Sequence, residues 1–264
     1  MEHEATIRLG MFLGLFILFA ALERVAPKHA ADYSVRSRWL TNFSITILNT
    51  LLLRTLALAL PFLAVGAAID ARAMGWGLFN VIDLPLFLEA AICILLLDFI
   101  IWMQHVLTHK IPFLWRLHQV HHADVDFDVS TAIRFHPIEI ALSMILKIGV
   151  VYVLGPAAWA VVAFEILLNG SALFNHANLA MPAWLDRWLR YLIVTPDMHR
   201  IHHSVKRDEH DSNYGFALSI WDHIFGTYFN SELSKNEEIV VGLQWQDQRP
   251  TKLGWSLWLP FMRQ

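Results

Sequence analysis

Nine of the fourteen histidines in this chain fall into four short sets. They are His105 with His109, His118 with His121 and His122, His176 alone, and His199 with His202 and His203. The spacings read H-x-x-x-H once and H-x-x-H-H twice. Residues three and four apart share one face of a helix, so each set is expected to aim its imidazoles in one direction. Neutral imidazole is the commonest protein ligand for a transition metal. Nine imidazoles exceed what one ion can use, and two ions side by side are the economical reading. The only cysteine, Cys93, lies in an apolar run. No disulfide can form within the chain, and any metal is held by nitrogen.

The elements that must position these rings are membrane helices. The chain has 264 residues, is 56% hydrophobic and 16% charged, and carries a net charge of −3. That balance suits an integral membrane protein and excludes a nucleic-acid partner. Four apolar stretches are long enough to consider: Ile7–Leu22, Phe43–Ile69, Leu86–Leu107, and Ile138–Leu168. The last is broken at Gly155-Pro156 and reads as a helical hairpin. The first has Glu2 and Glu4 where a signal peptide has basic residues, so it reads as a retained helix. The expected fold is all-α, a bundle of about four to five transmembrane helices under a helical cap.

Arg24, Lys28, Arg36 and Arg38 in the first loop place it in the cytoplasm by the positive-inside rule. Alternation of the helices then delivers all nine histidines to the cytoplasmic side. Residues 110–137 and 177–230 form the cap. Trp102, Trp115, Trp184, Trp188 and Trp221 suit an interface belt, and Trp255–Met262, in the tail from Ser231, is expected on the membrane surface. Arg54 lies within the second stretch and either snorkels to the headgroups or faces a bundle cavity.

Asp98 lies seven residues before His105 on the third helix. A carboxylate there either ligates or accepts the free N–H of a ligating ring, or makes an ordinary interhelical hydrogen bond. Thr131 and Arg134 either meet a lipid headgroup or fix the cap. Asp124, Asp126 and Asp128 read as a solvated acidic face. Glu139 and Glu165 lack the Glu-x-x-His context of soluble di-iron bundles and are not taken as ligands.

From about Asp98 to Thr227 the chain resembles the fatty acid hydroxylase / sterol desaturase superfamily of membrane enzymes. The resemblance rests on HVLTH, LHQVHH, STAIRFHP, FNHAN, TPDMHRIHHS, DSNYG and WDHIFGT, in that order. It implies one membrane domain over residues 1–264, with a catalytic core at 86–230 that includes a cytosolic cap. It implies a histidine-rich, non-haem di-iron site that uses O2 on a lipid. The nine clustered histidines fall on the ligand positions. His136, in RFHP, matches a histidine found in some branches and is either a tenth ligand or a group that supports one. Asn213, in N-Y-G, either holds a ligating histidine or a metal-bound water, or serves a turn. Trp221, Asp222, Phe225 and Gly226 read as cap packing. The short form without a fused haem domain suits a bacterial inner membrane.

Oxidation of an unactivated C–H bond needs a metal that changes redox state, which iron does and zinc does not. The chain has no haem-attachment or dinucleotide fingerprint, so electrons must come from an external ferredoxin or cytochrome. The expected function is hydroxylation or desaturation of a lipid. The alternative from another class is a non-enzymatic membrane metal carrier or sensor, which would line a path across the bilayer rather than gather histidines at one end. A zinc protease is disfavoured because no H-E-x-x-H is present.

Overall fold

A computed structural model describes residues 3–59, 63–229, 239–245 and 247–262 of the chain. Helices carry the described residues: α1 (Glu4–Val25), α2 (Val35–Ala59), α3 (Ala64–Ala73), α4 (Leu86–Lys110), α5 (Pro112–His122), α6 (Pro137–Leu154), α7 (Ala158–Asn175), α8 (Ala183–Leu189), α9 (Pro196–His202), α10 (Arg207–His210), α11 (Ile220–Ile224) and α12 (Leu253–Trp258). No named strand occurs among them, only isolated bridges.

Four helices, α1, α4, α6 and α7, are long and apolar enough to cross a membrane. Their outward faces carry exposed Ile17, Leu18, Leu88, Leu95, Ile145 and Leu167, as expected of surfaces that meet lipid rather than water. Inside, α3, α4, α6 and α7 pack around Ala67, Ala68, Cys93, Leu97, Val161 and Phe164. The hairpin expected at residues 138–168 forms, and α7 runs on to Asn175. Gly155 closes α6 in the left-handed region at φ 59°, and a side chain there would strike the Trp76 carbonyl.

The second apolar stretch is not one helix. It is divided between α2 and α3, with Leu63 in extended backbone before α3, and residues 60–62 lie outside the described residues. Arg54 is exposed on α2.

Proline starts four of the elements that matter for the site. Pro85 precedes α4, and Pro112, Pro137 and Pro196 occupy the first turns of α5, α6 and α9. A fixed φ and a missing N–H fit the first helical turn. The chain therefore ends α4 at Lys110 and turns at once into α5 through the extended Ile111.

The cap is tied to the bundle by buried charge. The Arg38 guanidinium donates from Nε and Nη2 to both oxygens of Asp124, at 2.7 and 2.9 Å, and from Nη1 to Asp128 at 2.7 Å. Arg134, fully buried, donates to Val120 O, Asn42 Oδ1 and Ser256 Oγ. At the end of α1, Glu23 accepts from the backbone N–H groups of Val129 and Asn178. Asp124 and Asp128 are thus interior counter-ions and not a solvated face, because Arg38 is drawn in from α2 to meet them. Thr131 and Arg134 fix the cap. Part of the tail from Ser231 lies outside the described residues; α12 packs beside α2, and its Ser256 accepts from Arg134.

Candidate metal centre

The ends of four helices meet at one end of the bundle: the C-termini of α1, α4 and α7 and the N-terminus of α6. The cap helices α5 and α9 close over them. All nine clustered histidines are buried there, each 6% exposed or less. They divide into two groups. His105, His109, His118, His122 and His202 form one; His121, His176, His199 and His203 form the other. Within each group the candidate ligand atoms lie within 4.8 Å of one another.

The division cuts through both H-x-x-H-H triplets. In each, positions i and i+4 share a group and i+3 crosses to its neighbour. His118 and His122 enter the first group while His121 enters the second; His199 and His203 enter the second while His202 enters the first. The expectation that each set points one way therefore holds for His105 and His109 and fails for the triplets. Steps of about 100° per residue put i+4 roughly 40° from i on one side and i+3 roughly 60° on the other.

Ring orientation is set from behind. His105 Nδ1 donates to Tyr214 O at 2.7 Å, His176 Nδ1 to Ala172 O at 2.8 Å, and His202 Nδ1 to Ser212 O at 2.7 Å. His118 Nδ1 donates to Glu139 Oε1 at 2.6 Å. An N–H committed to an outer acceptor leaves the lone pair on Nε2, and these are the atoms that converge. His105 Nε2 lies 3.0 Å from His118 Nε2, and His176 Nε2 lies 3.1 Å from both His121 Nε2 and His199 Nε2. Adjacent ligands each about 2.1 Å from one ion stand roughly 3.0 Å apart.

Other ring nitrogens have no hydrogen-bond partner although buried: both of His109 and His122, Nδ1 of His121 and His199, and Nε2 of His202 and His203. Each such orphan costs about 1–3 kcal/mol if nothing meets it. His109 Nδ1 stands 3.5 Å from Asp211 Oδ1. Burial holds His121, His122, His199, His202 and His203 well below the ordinary 6.5, and their mutual repulsion adds to it. Burial lowers His176 to about 4. Neutral rings at neutral pH are ligand-competent rings. An all-nitrogen donor set with two convergent points fits a pair of transition-metal ions.

Three expected site residues are placed elsewhere. His136 caps α6, where Nδ1 accepts from Ile138 N, and its Nε2 meets Leu257 O at 3.2 Å, so it belongs to neither group. Asp98 accepts from Trp221 Nε1 at 2.8 Å and meets no histidine, because seven residues put it about 10 Å deeper along α4 than His105. Asn213 sits in a turn at φ 51° and staples Met198 O and Phe229 O with its amide, with no histidine in reach. The same segment matters through its backbone, since Tyr214 O holds His105. That backbone is in turn held by Asp222, which accepts from Tyr214 N, Gly215 N, Thr227 Oγ1 and Trp102 Nε1.

Asp211 and His210 are residues the sequence reading passed over, and Glu139, set aside there as a ligand, instead holds a ligand-side ring from behind. Glu139 sits in the first turn of α6, three residues after His136, and that position at the histidine end of a helix was its only signal. Of the expected tryptophan belt, Trp184 and Trp188 are exposed, whereas Trp102 and Trp221 hold carboxylates and Trp115 packs against His109 and His122.

Residues 90–227 match the family model described as fatty acid hydroxylase. The chain is similar to human alkylglycerol monooxygenase, 33% identical over 55% of this chain and 31% of that one. It is 29% identical to ornithine lipid hydroxylase OlsE of Rhizobium tropici over 60% of this chain and 46% of that one. A very-long-chain aldehyde decarbonylase of Oryza sativa subsp. indica, GL1-5, is 27% identical over 53% of this chain and 24% of its own. The chain thus spans less than half the length of each of these relatives. No solved structure matches it.

Proposed function

The chain belongs to the fatty acid hydroxylase family, and on that premise we propose that it is an O2-dependent membrane oxidoreductase that hydroxylates or desaturates a lipid at an unactivated C–H bond. The observation that carries the proposal is the division of nine buried histidines into groups of five and four with convergent Nε2 atoms. His105, His109, His118, His122 and His202 would hold one iron, and His121, His176, His199 and His203 the other. The bound iron pair supplies O2 activation and the strong oxidant that a C–H bond requires.

The chain's own residues supply the rest. Tyr214 O, Ala172 O, Ser212 O and Glu139 fix the tautomers of four rings. Phe127 and Phe135 pack on the second group and keep bulk water from it. Electrons come from an external ferredoxin-like or cytochrome-like donor. Residues 86–230 are the catalytic core of a single membrane domain, facing the cytoplasm of a bacterial inner membrane. The kinds of lipid named for the relatives, alkylglycerol and ornithine lipid, make a polar lipid the first class to try.

Metal analysis of the purified chain combined with lipid profiling of an expressing host tests this. The expected result is two iron ions per chain and a lipid class that gains one oxygen or loses two hydrogens. His122→Ala and His203→Ala each abolish the change. Full turnover in either variant removes that histidine from the ligand set.

A further inference from the structure

A cavity of about 330 Å³ runs from the first histidine group into the membrane-spanning part of the bundle. His105, His118 and Glu139 form its near end; Arg8, Lys147 and Glu165 form its far end. The far end is remote from the cap, since Lys147 is eight residues beyond Glu139 on α6, about 12 Å at 1.5 Å per residue.

The walls between these ends are unlike the rest of the spans. On α6, Glu139, Ser143 and Lys147 recur at intervals of four and make one polar stripe on an otherwise apolar helix. On α7, Glu165 and Asn169 do the same. On α2, Thr46, Asn49 and Thr50 face the same space. Gln104 of α4 accepts from Ser143 Oγ at 3.2 Å. Asn49 is 7% exposed, its amide nitrogen donates to Phe135 O, and its Oδ1 has no partner. Phe12, Leu53, Ile101, Ile140, Met144 and Leu168 line the rest of the cavity, so it offers apolar wall to an alkyl chain and polar groups to a head group.

At the far end Glu165 stands between two cations. Lys147 Nζ is 3.1 Å from Oε1, and Arg8 Nη2 is 2.7 Å from Oε2. Glu4 approaches Arg8 at 3.5 Å from outside and does not line the cavity. At the far end, two lining cations face one lining carboxylate, with Glu4 behind Arg8. Ionisable groups inside membrane spans are costly and mark substrate or ion pathways. The Arg8 side chain is 37% exposed, so the far end is not sealed from the outer face of the bundle.

We propose that this cavity binds the lipid substrate with an oxyanion, a carboxylate or a phosphate, seated at Arg8 and Lys147. The proposal rests on the lipid-oxidising reading above.

The metal-free full chain in neutral detergent is titrated calorimetrically with hexadecanoate, hexadecyl phosphate and hexadecanol. At least one oxyanion binds ~10-fold or more tighter than hexadecanol, the equivalent of one charge-assisted hydrogen bond. Whichever of the two binds tighter identifies the source of the oxyanion. Lys147→Met loses that preference without weakening hexadecanol, and Lys147→Arg keeps it. Arg8→Gln, at the more exposed cation, is the second variant should Lys147→Met fail to fold. Equal binding of all three probes, or a preference that survives loss of either cation, overturns the proposal. Preferential binding with no oxidation by the iron-loaded chain supplied with O2 and an artificial electron donor sinks the oxidoreductase reading and leaves the site standing. Oxidation without preferential binding does the reverse.

Discussion

Glu139→Gln tests whether the two histidine groups are two separate metal sites. Glu139 is 7% exposed and accepts from His118 Nδ1 at 2.6 Å. His118 belongs only to the five-histidine group. A hydrogen bond to a charged acceptor contributes about 1.5–3 kcal/mol, and a neutral one about 0.5–1.5 kcal/mol. A glutamine turned to present its carbonyl oxygen keeps the bond and loses the charge, so the difference is about 1–1.5 kcal/mol, or roughly 5- to 12-fold in affinity. Glu139→Ala leaves the ring without an acceptor and costs about 10- to 100-fold. The assay is titration of metal-free protein with Fe(II) or Co(II) against a competing chelator, fitted to two sites. One dissociation constant rises by the stated factor and the other stays within about twofold, since the rings of the four-histidine group have no bond to Glu139. Equal weakening of both sites, or of neither, refutes the assignment.

Three further outcomes follow from the same geometry. Metal-free protein loses stability as pH falls below about 6.5: the buried rings have depressed folded values, so the unfolded chain takes up protons first, and His176 alone, at about 4, accounts for about 3 kcal/mol by pH 4. Thermal melting across pH 5–8 checks this, and a midpoint that does not fall toward pH 5 contradicts it. Arg38→Met leaves Asp124 and Asp128 buried without their cation and costs about 3–5 kcal/mol, measured by denaturant or thermal unfolding. His136→Gln keeps the full metal content, because His136 caps a helix; loss of one ion on metal analysis would restore it to the ligand set.

Much of this architecture was legible before any coordinates. Apolar length marks α1, α4, α6 and α7, and Gly155-Pro156 marks the hairpin. The nine histidines were legible because like residues at helical spacing are rare and diagnostic. What was not legible is contact that depends on chain path. Three of the acceptors behind the rings are backbone carbonyls, which any residue can supply. The acidic run 124–128 looked solvated because its partner, Arg38, comes from 86 residues away. For Asp98 periodicity reported the face of the helix and left open which partner it meets at its depth; the interhelical hydrogen bond from Trp221 of α11 is the alternative that forms.

The triplets show the limit most sharply, and they also explain why two ions fit better than one. A single ion at the face of α5 would use His118 and His122 and leave His121, turned by about 100° from His122, without a partner. The same holds for α9 with His202 in that place. Both helices therefore carry a two-sided pattern in three residues. The two helices use it in opposite senses, so that α5 gives two rings to the first group and one to the second, and α9 the reverse. His105 and His109 complete the first group and His176 the second. Each cap helix thus spans both groups, and neither group can be assembled without the other's helices in place. Loss of one ion should loosen the cap around both, whereas loss of one supporting acceptor, such as Glu139, should be felt at one.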